Sequence, residues 1–116
     1  MPFDTSVLDR ALTRRAAKWE RERAALLHLL QQLLPEAAER YGLGSAYIFG
    51  SIVSPGRFSE LSDVDIAVVE LPASSFFKVA AFLSNRLGRD VDLIWLDEVH
   101  FAATIKRAGL LWTKSG

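Results

Sequence analysis

Apolar side chains recur at helical spacing through the first forty residues of the chain. Four of them lie seven residues apart: Leu12, Trp19, Leu26 and Leu33. This spacing places them on one face of a helix, while many of the other positions are charged. Pro35 cannot continue a helix but suits the first turn of a new one, so we predict a second short helix at residues 35–41.

After this helical region the pattern changes to short β-prone runs separated by turn residues. Three runs have the composition of strands: residues 46–49, 63–69 and 90–95. An amphipathic segment that begins near Ser75 and ends at Gly88 predicts a helix between the second and third strands. Asp97 is predicted to cap a last helix that ends near Ala108, and a short edge strand is expected at residues 110–112.

The predicted elements follow the order helix, strand, strand, helix, strand, helix. This order is typical of an α/β (α+β) fold, in which a small mixed β-sheet has helices packed on one face. The 116 residues fit a single domain, residues 1–116, because compact domains contain about 50–250 residues. A second hydrophobic core would not fit in this length.

Composition excludes several classes of function. Fourteen basic and fourteen acidic side chains give zero net charge, so no direct nucleic-acid partner is expected, because non-specific binding needs a basic excess. The chain has no cysteine, which excludes disulfides, thiolate metal sites and cysteine nucleophiles. No apolar run approaches the roughly 20 residues of a membrane span, and the N-terminus lacks the apolar core of a signal peptide. We therefore expect a cytoplasmic domain without a membrane partner.

Acidic residues occupy unfavourable positions in two of the predicted strands. Asp63 and Asp65 are two residues apart, so on a strand they share a face and repel each other. Asp92 has a similar place in the third strand, within an apolar run. Three carboxylates from two strands suit a site for two divalent cations such as magnesium. The alternative is that Asp63 begins a strand while Asp65 and Asp92 face solvent.

A candidate phosphate-binding turn, Phe49-Gly50-Ser51, follows the first predicted strand. The glycine lets backbone amides approach a phosphate, and the serine hydroxyl adds a donor. A Gly-Ser pair alone is a weak signal. Here, however, eleven residues separate it from an Asp-hydrophobic-Asp-hydrophobic motif that starts at Asp63, and the combination is much more specific.

These motifs resemble the nucleotidyltransferases of the DNA polymerase β superfamily, and among them the minimal nucleotidyltransferases. The superfamily pattern begins with a hydrophobic residue, a Gly, and then either Gly or Ser. A gap similar in length to the eleven residues found here separates these from an Asp-hydrophobic-Asp/Glu-hydrophobic motif. A third acid on a following strand completes the family triad, and Asp92 matches it. The resemblance covers residues 24–112 and implies the nucleotidyltransferase fold. Residues 1–23 lie outside it and are predicted to form an extra charged helix.

The resemblance implies a reaction and its residues. The reaction is transfer of a nucleoside monophosphate, AMP from ATP, to a hydroxyl acceptor. Asp63, Asp65 and Asp92 are implied to hold two magnesium ions, and Asp92 is implied to act as general base toward the acceptor. The implied nucleotide-binding residues are Gly50, Ser51, Ser62 and Arg57. Of these, Ser62 also suits a turn, and Arg57 stands after a glycine where the minimal group often has arginine before one.

The resemblance also implies a partner. Minimal nucleotidyltransferases resemble the antitoxin half of two-gene modules whose other product is a helical HEPN ribonuclease toxin, and a tyrosine of the toxin is the implied acceptor. Two alternatives stay open: a non-catalytic antitoxin that binds the toxin, and an enzyme that modifies a small hydroxylated molecule such as an aminoglycoside. Retention of all three carboxylates favours an enzyme, because an acid cluster without metal costs stability. An oligomer or a hetero-complex is compatible with the charged N-terminal helix.

Overall fold

The computed structural model describes residues 5–115 of the chain. Their helices and strands are, in order, α1 (Ser6–Tyr41), β1 (Ser45–Phe49), β2 (Val64–Glu70), α2 (Phe76–Leu87), β3 (Val91–Trp95), α3 (Ala102–Ala108) and β4 (Leu110–Thr113). The strands form one sheet in the order β3-β2-β1-β4, in which β2 and β3 are parallel and the other pairs are antiparallel. The predicted α/β class with a small mixed sheet is confirmed, and so is the short edge strand β4.

One face of the sheet packs against α1 and α2 and forms the main hydrophobic core. Alternate strand residues point to this face. Its fully buried side chains include Leu30 and Leu34 of α1, Ile48 of β1, Ile66 of β2 and Leu83 of α2. Each of them contributes about 1.5–3 kcal/mol to stability relative to an exposed position. This burial fixes both helices on the face that the sequence pattern predicts for them.

The opposite face of the sheet carries a second, smaller apolar cluster. Ile105 of α3 and Leu96 pack there around Ala67 of β2, with Tyr47 of β1 beside them. Helix α3 therefore lies on the face opposite α1 and α2, and the prediction that helices share one face holds for α1 and α2 only. The physical reason is strand alternation, because Ala67 and Tyr47 leave an apolar strip on the second face that α3 covers.

Helix α1 continues through Pro35, so the predicted separate helix at residues 35–41 is wrong. A proline inside a helix removes one hydrogen bond and costs about 3 kcal/mol. Here the ring lies on the exposed side of the helix, whereas the neighbouring Leu34 and Ala38 are buried. Their packing holds both halves of the helix in line across the proline. The helix ends at Gly42, whose N–H donates to Ala38 O at 3.0 Å.

The N-terminal part of α1, residues 6–18, is exposed along its whole length. Val7, Leu8 and Leu12 are each more than half exposed, at 68, 55 and 55%. The apolar stripe that the sequence predicts is therefore exposed at Leu12, partly buried against the core at Trp19, and buried from Leu26 onward. The first turns of α1 present an apolar stripe to solvent instead of to this core.

Helix α1 has 36 residues and crosses, without a break, the boundary predicted between residues 1–23 and residues 24–112. Its length exceeds that of a membrane-spanning helix, which needs about 20 predominantly apolar residues. Every turn of α1 up to Arg23 contains at least one charged side chain. Within residues 5–115, no helix combines the length and the apolar character needed to cross a membrane.

The predicted start of the last helix at Asp97 is wrong. Asp97 lies in a short 3₁₀ turn, Leu96–Glu98, and α3 begins at Ala102. Leu96 is buried in the second apolar cluster, and this contact leads the chain across the end of the sheet before the helix begins. An acidic residue ahead of an apolar run suits either a helix cap or a 3₁₀ turn, so the local pattern could not separate them.

Candidate active site

The predicted acidic residues lie where β1, β2 and β3 meet at one end of the sheet. Asp65 of β2 is the register partner of Asp92 on the parallel strand β3, and also of Phe49 at the end of β1. Register partners point to the same face of a sheet, and neighbouring strands are about 4.8 Å apart. The structure therefore brings Asp65 and Asp92 together on the face opposite α1 and α2.

The predicted phosphate-binding turn begins directly beside Asp65. Gly50 starts a 3₁₀ turn, Gly50–Val53, with a φ of +81°. A Cβ atom at this position would overlap the Oδ2 atom of Asp65. Glycine is the residue that permits both the positive φ and this close approach. The Gly-Ser motif and the acidic motif thus meet at one place in the fold.

The Asp65 carboxyl group lies in an unfavourable electrostatic environment. Burial raises its pKa to about 6, and the negative charges of Asp92 and Asp63 add to the shift. Asp63 and Asp92 are exposed, whereas Asp65 is half-buried. The alternative that Asp65 and Asp92 simply face solvent therefore describes Asp92 but not Asp65, whereas Asp63 lies directly before β2, close to the strand start that the alternative gives it.

The donor set fits a divalent cation in its chemistry. Carboxylate oxygens are the ligands that magnesium prefers, and a typical site uses one or two carboxylates together with substrate phosphates. Asp65 and Asp92 supply two such groups from adjacent strands. Within residues 5–115, no three acidic, His or Cys side chains converge at the spacing of a metal site. The carboxylates of Asp65 and Asp92 are thus placed together by the sheet itself, before any metal ion binds. The role of Asp63 as a third ligand stays a prediction.

Replacing Asp65 with asparagine is expected to stabilise the metal-free protein at about pH 7.5 and much less at about pH 4.5. In the folded protein the pKa of Asp65 is about 6, above its usual value of 3.8. The stability of the metal-free wild type therefore falls as the pH rises from about 4 to about 6, and asparagine removes this loss. We expect a gain of about 1 kcal/mol, because solvent screens part of the repulsion. Urea unfolding with a chelator at both pH values measures it.

The matched control for this prediction is Asp90→Asn. Asp90 is exposed, and it lies two residues before Asp92 at the entry to β3. Its substitution should change the free energy of unfolding less than Asp65→Asn does at about pH 7.5, because the Asp90 side chain is exposed. An effect of Asp65→Asn that does not depend on pH would contradict the electrostatic description of the site.

The other predicted binding residues occupy the loops beside the acidic pair. The Ser62 Oγ atom accepts a hydrogen bond from the Ser59 N–H at 2.9 Å and closes the turn before Asp63. Ser62 therefore has the turn role that the sequence also allowed. Arg57 is exposed in the same loop. Phosphate contacts by Ser51, Ser62 and Arg57 stay predictions.

Three charged residues outside the predicted set hold the loops of the site. Arg23 and Glu20 of α1 contact the loop after Gly50, and Arg89 contacts the loop before Asp63. Glu20 and Arg23 are spaced i, i+3 on a helix, but an ordinary surface ion pair has the same spacing. Their loop partners lie 29 and 36 residues away along the chain, where no local pattern reveals them.

One concave surface adjoins the candidate site, and another lies away from it. A groove of about 750 Å³ between α1 and the loop of Ser62 and Asp63 is lined by Trp19 and Arg89. Another cleft, of about 810 Å³, lies at the opposite end of the sheet beside Tyr47, and it contains none of the predicted site residues. Cleft size therefore does not mark the candidate site, whereas the meeting of the two motifs does.

This arrangement agrees with what known proteins show. The family model described as "Polymerase beta, Nucleotidyltransferase" matches residues 31–114. The chain belongs to the polymerase beta nucleotidyltransferase family. The matched region includes both Gly50 and the acidic pair of Asp65 and Asp92, so the family motifs and the geometry coincide. The predicted membership is confirmed, and it makes the chain a member of a family of nucleotide-transferring enzymes.

A solved structure provisionally identified as a minimal nucleotidyltransferase has the same fold. Its TM-score to this chain is 0.60 at 20% sequence identity, and the alignment covers 72% of this chain and 90% of that one. At this level of identity the likeness shows the nucleotidyltransferase fold alone. A comparison with curated proteins finds no match.

Proposed function

We propose that this chain is a magnesium-dependent nucleotidyltransferase that moves AMP from ATP to a hydroxyl acceptor. We further propose that the acceptor is a tyrosine of a helical HEPN toxin, toward which the chain acts as antitoxin. Family membership supports nucleotide transfer in general. The observation that carries the specific reaction is the register of Asp65 and Asp92 on adjacent parallel strands, directly beside Gly50.

The turn at Gly50 suits the phosphates of the nucleotide. The first N–H groups of a helical turn have no partner within the turn, and successive N–H groups of this kind bind anions. The absence of a side chain at Gly50 lets the turn lie directly against Asp65, so a nucleotide bound at the turn would be next to the acidic pair. We assign the β- and γ-phosphates to the N–H groups of the turn and to the Ser51 hydroxyl. This assignment directs the α-phosphate toward the acidic pair.

Asp65 and Asp92, together with Asp63, would hold the magnesium ions. When bound, these ions stabilise the charge on the transferring phosphoryl group and lower the pKa of the acceptor hydroxyl. Asp65 has a pKa of about 6 and is therefore mostly ionised at neutral pH. Asp92 is exposed on the edge strand β3, which an acceptor can approach. We therefore assign to Asp92 the general base that takes the hydroxyl proton.

The exposed N-terminal part of α1 supports the proposal of a protein partner. Val7, Leu8 and Leu12 form an apolar stripe on the helix surface, and exposed apolar patches often mark protein interfaces. Residues 6–23 contain six basic and three acidic side chains. An acidic surface on the helical partner would complement this charge.

Transfer of label from ATP labelled at the α-phosphate tests the proposed reaction. The chain, magnesium, labelled ATP and the product of the adjacent gene are incubated, and label on the partner and pyrophosphate release are measured. We expect label on the partner, with one pyrophosphate released for each label. Transfer from the γ-phosphate would indicate a kinase and contradict the proposal.

The same experiment distinguishes the two alternative functions. A tight complex without label transfer, unchanged when Asp63, Asp65 or Asp92 is substituted, would indicate a non-catalytic antitoxin. Label that appears on an added aminoglycoside and not on the partner would indicate a small-molecule nucleotidyltransferase. Both outcomes would exclude the toxin tyrosine as acceptor.

A further inference from the structure

Helix α1 contacts both loops that lead to the candidate site. They are two parts of the single connection between β1 and β2: the first, residues 50–56, begins with Gly50, and the second, residues 57–63, ends with Asp63. We propose that α1 positions these two loops for nucleotide and metal binding. The contacts form a cluster that we call the α1 brace: Trp19, Glu20 and Arg23 of α1, with Arg89 from the turn between α2 and β3. This inference rests on the proposed function, because it assigns positioning residues to the same site.

Arg23 and Glu20 hold the first loop. The Arg23 Nη1 atom donates to Ile52 O at 2.8 Å, and its Nε atom donates to the Glu20 carboxylate at 3.0 Å. Glu20 Oε2 in turn accepts from the Gly56 N–H at 3.2 Å. The hydrogen bond from Arg23 lowers the pKa of Glu20, and the same bond raises the pKa of Arg23. The backbone is thus tied to α1 at two points after Gly50.

Arg89 holds the second loop. Its Nη1 atom donates to Ser62 O at 2.7 Å, directly before Asp63. The guanidinium lies over the rings of Phe58 and Trp19, at 4.5 and 5.8 Å from their centroids. Stacking on two rings restricts the orientation of a planar guanidinium. Trp19 of α1 therefore supports the side chain that fixes the carbonyl next to Asp63.

The two loops have little regular structure of their own. Between β1 and β2, the turn Gly50–Val53 is the regular element that the structure shows in residues 50–63. Irregular loops lose much conformational entropy when they are fixed, and they are mobile unless other elements hold them. A displacement of about 1 Å in a binding group can lower activity about 10²-fold. Contacts from outside the loops are therefore needed, and α1 provides them.

The α1 brace lies largely outside the region that the family match covers. Trp19, Glu20 and Arg23 all precede residue 31, where the match begins, whereas Arg89 lies within it. The family match therefore does not account for the brace. The inference gives a role in the site to the helical extension that the resemblance leaves unassigned.

Arg23→Lys is expected to weaken MgATP binding about tenfold while the protein stays folded. Lysine keeps the positive charge but lacks the planar fork that reaches Ile52 O and Glu20 together. Affinity is measured by calorimetric titration well below the melting temperature, so that unfolding does not contribute. In protein without nucleotide or metal, amide hydrogen exchange at Gly56 and Arg57 should also become faster, because the Gly56 N–H loses its fixed acceptor.

Two further variants extend this test. Arg89→Lys is expected to weaken binding of Mn²⁺, a spectroscopic probe for the magnesium site, about tenfold, because the loop before Asp63 is released. Glu20→Gln keeps the side-chain shape and removes only the charge. It should give a smaller loss of MgATP affinity than Arg23→Lys, and it serves as the folded variant if Arg23→Lys is unstable.

Arg86→Lys is the matched control. Arg86 pairs with Glu36 at 3.1 Å and lies over the Phe82 ring at 4.9 Å, which are contacts of the same kind as those of the brace. These contacts join α2 to α1 and involve neither loop. The control should bind MgATP and Mn²⁺ as the wild type does, even if its melting temperature falls.

Unchanged MgATP affinity and unchanged exchange in Arg23→Lys would overturn the α1 brace. An equal loss of affinity in Arg86→Lys would also overturn it, because the effect would then be general destabilisation. A wild-type protein that binds no MgATP would contradict the proposed function instead. In that case the exchange measurement would still decide whether α1 holds the loops.

Discussion

Gly50→Ala is expected to lower the transfer rate about 10²-fold and to destabilise the metal-free protein by about 2 kcal/mol. The alanine Cβ would overlap the Asp65 Oδ2 atom, and the φ of +81° strains a residue with a side chain. Either the carboxylate or the turn must move, so the proposed phosphate-binding turn and the proposed metal ligand Asp65 lose their shared geometry. Transfer is measured with α-labelled ATP, and stability is measured by urea unfolding.

The matched control is Gly56→Ala. Gly56 has nearly the same φ, +83°, but a Cβ atom there meets nothing within 4 Å, and alanine keeps the backbone N–H that donates to Glu20. Its substitution should therefore cost about 1 kcal/mol from backbone strain alone, and the transfer rate should stay near that of the wild type. Equal losses of activity in the two glycine variants would show that the close approach to Asp65 is not what matters.

A double-mutant cycle isolates the contact between Gly50 and Asp65. In an Asp65→Ala background the carboxylate is absent, so Gly50→Ala should cost only the strain of about 1 kcal/mol. The difference between the two backgrounds is then about 1 kcal/mol, and it reports the overlap with the carboxylate. Additive effects of the two substitutions would mean that the turn and Asp65 do not share space as described.

Strand alternation predicts much of the sheet and of its acidic face. Asp65 and Asp92 each stand in an apolar run, and a period of two places every strand residue on one of two faces. Alternation does not set the register between strands, because each strand can slide by two residues without changing its buried face. The pairing of Asp65 with Asp92 therefore cannot be predicted from alternation. It depends on the parallel register of β2 and β3, which α2 connects.

The features that could not be predicted from the sequence depend on contacts between residues distant along the chain. Local rules end a helix at Pro35, yet packing of Leu34 and Ala38 against the core carries α1 past it. Likewise, burial of Leu96 delays the start of α3. The pair of Glu20 and Arg23 has an ordinary helical spacing, and its bonds to Gly56 and Ile52 appear only in the folded chain. Local patterns therefore indicate the residues of the candidate site better than the residues that hold its loops.

Asp65→Asn is expected to lower AMP transfer at least about 10³-fold, the largest effect that we predict. Asp65 lies between Asp92 and the turn at Gly50, so its charge serves both the nucleotide and the acceptor side of the proposed site. The variant should also lose the stabilisation that MgATP gives to the wild type, because a ligand stabilises only the fold that binds it. Label transfer and thermal melting with and without MgATP measure these two effects.

Asp92→Asn should reduce transfer about as strongly but keep most of the MgATP-dependent stabilisation. Asp92 lies on the edge strand and is exposed, so we assign it to the acceptor hydroxyl more than to the nucleotide. Asp90→Asn removes an exposed carboxylate two residues away in the same segment, and it should leave both transfer and stabilisation unchanged.

If Asp92→Asn and Asp65→Asn lose nucleotide binding equally, the division of roles between the two strands is wrong. If both variants transfer label as fast as Asp90→Asn does, the acidic pair is not the reaction centre.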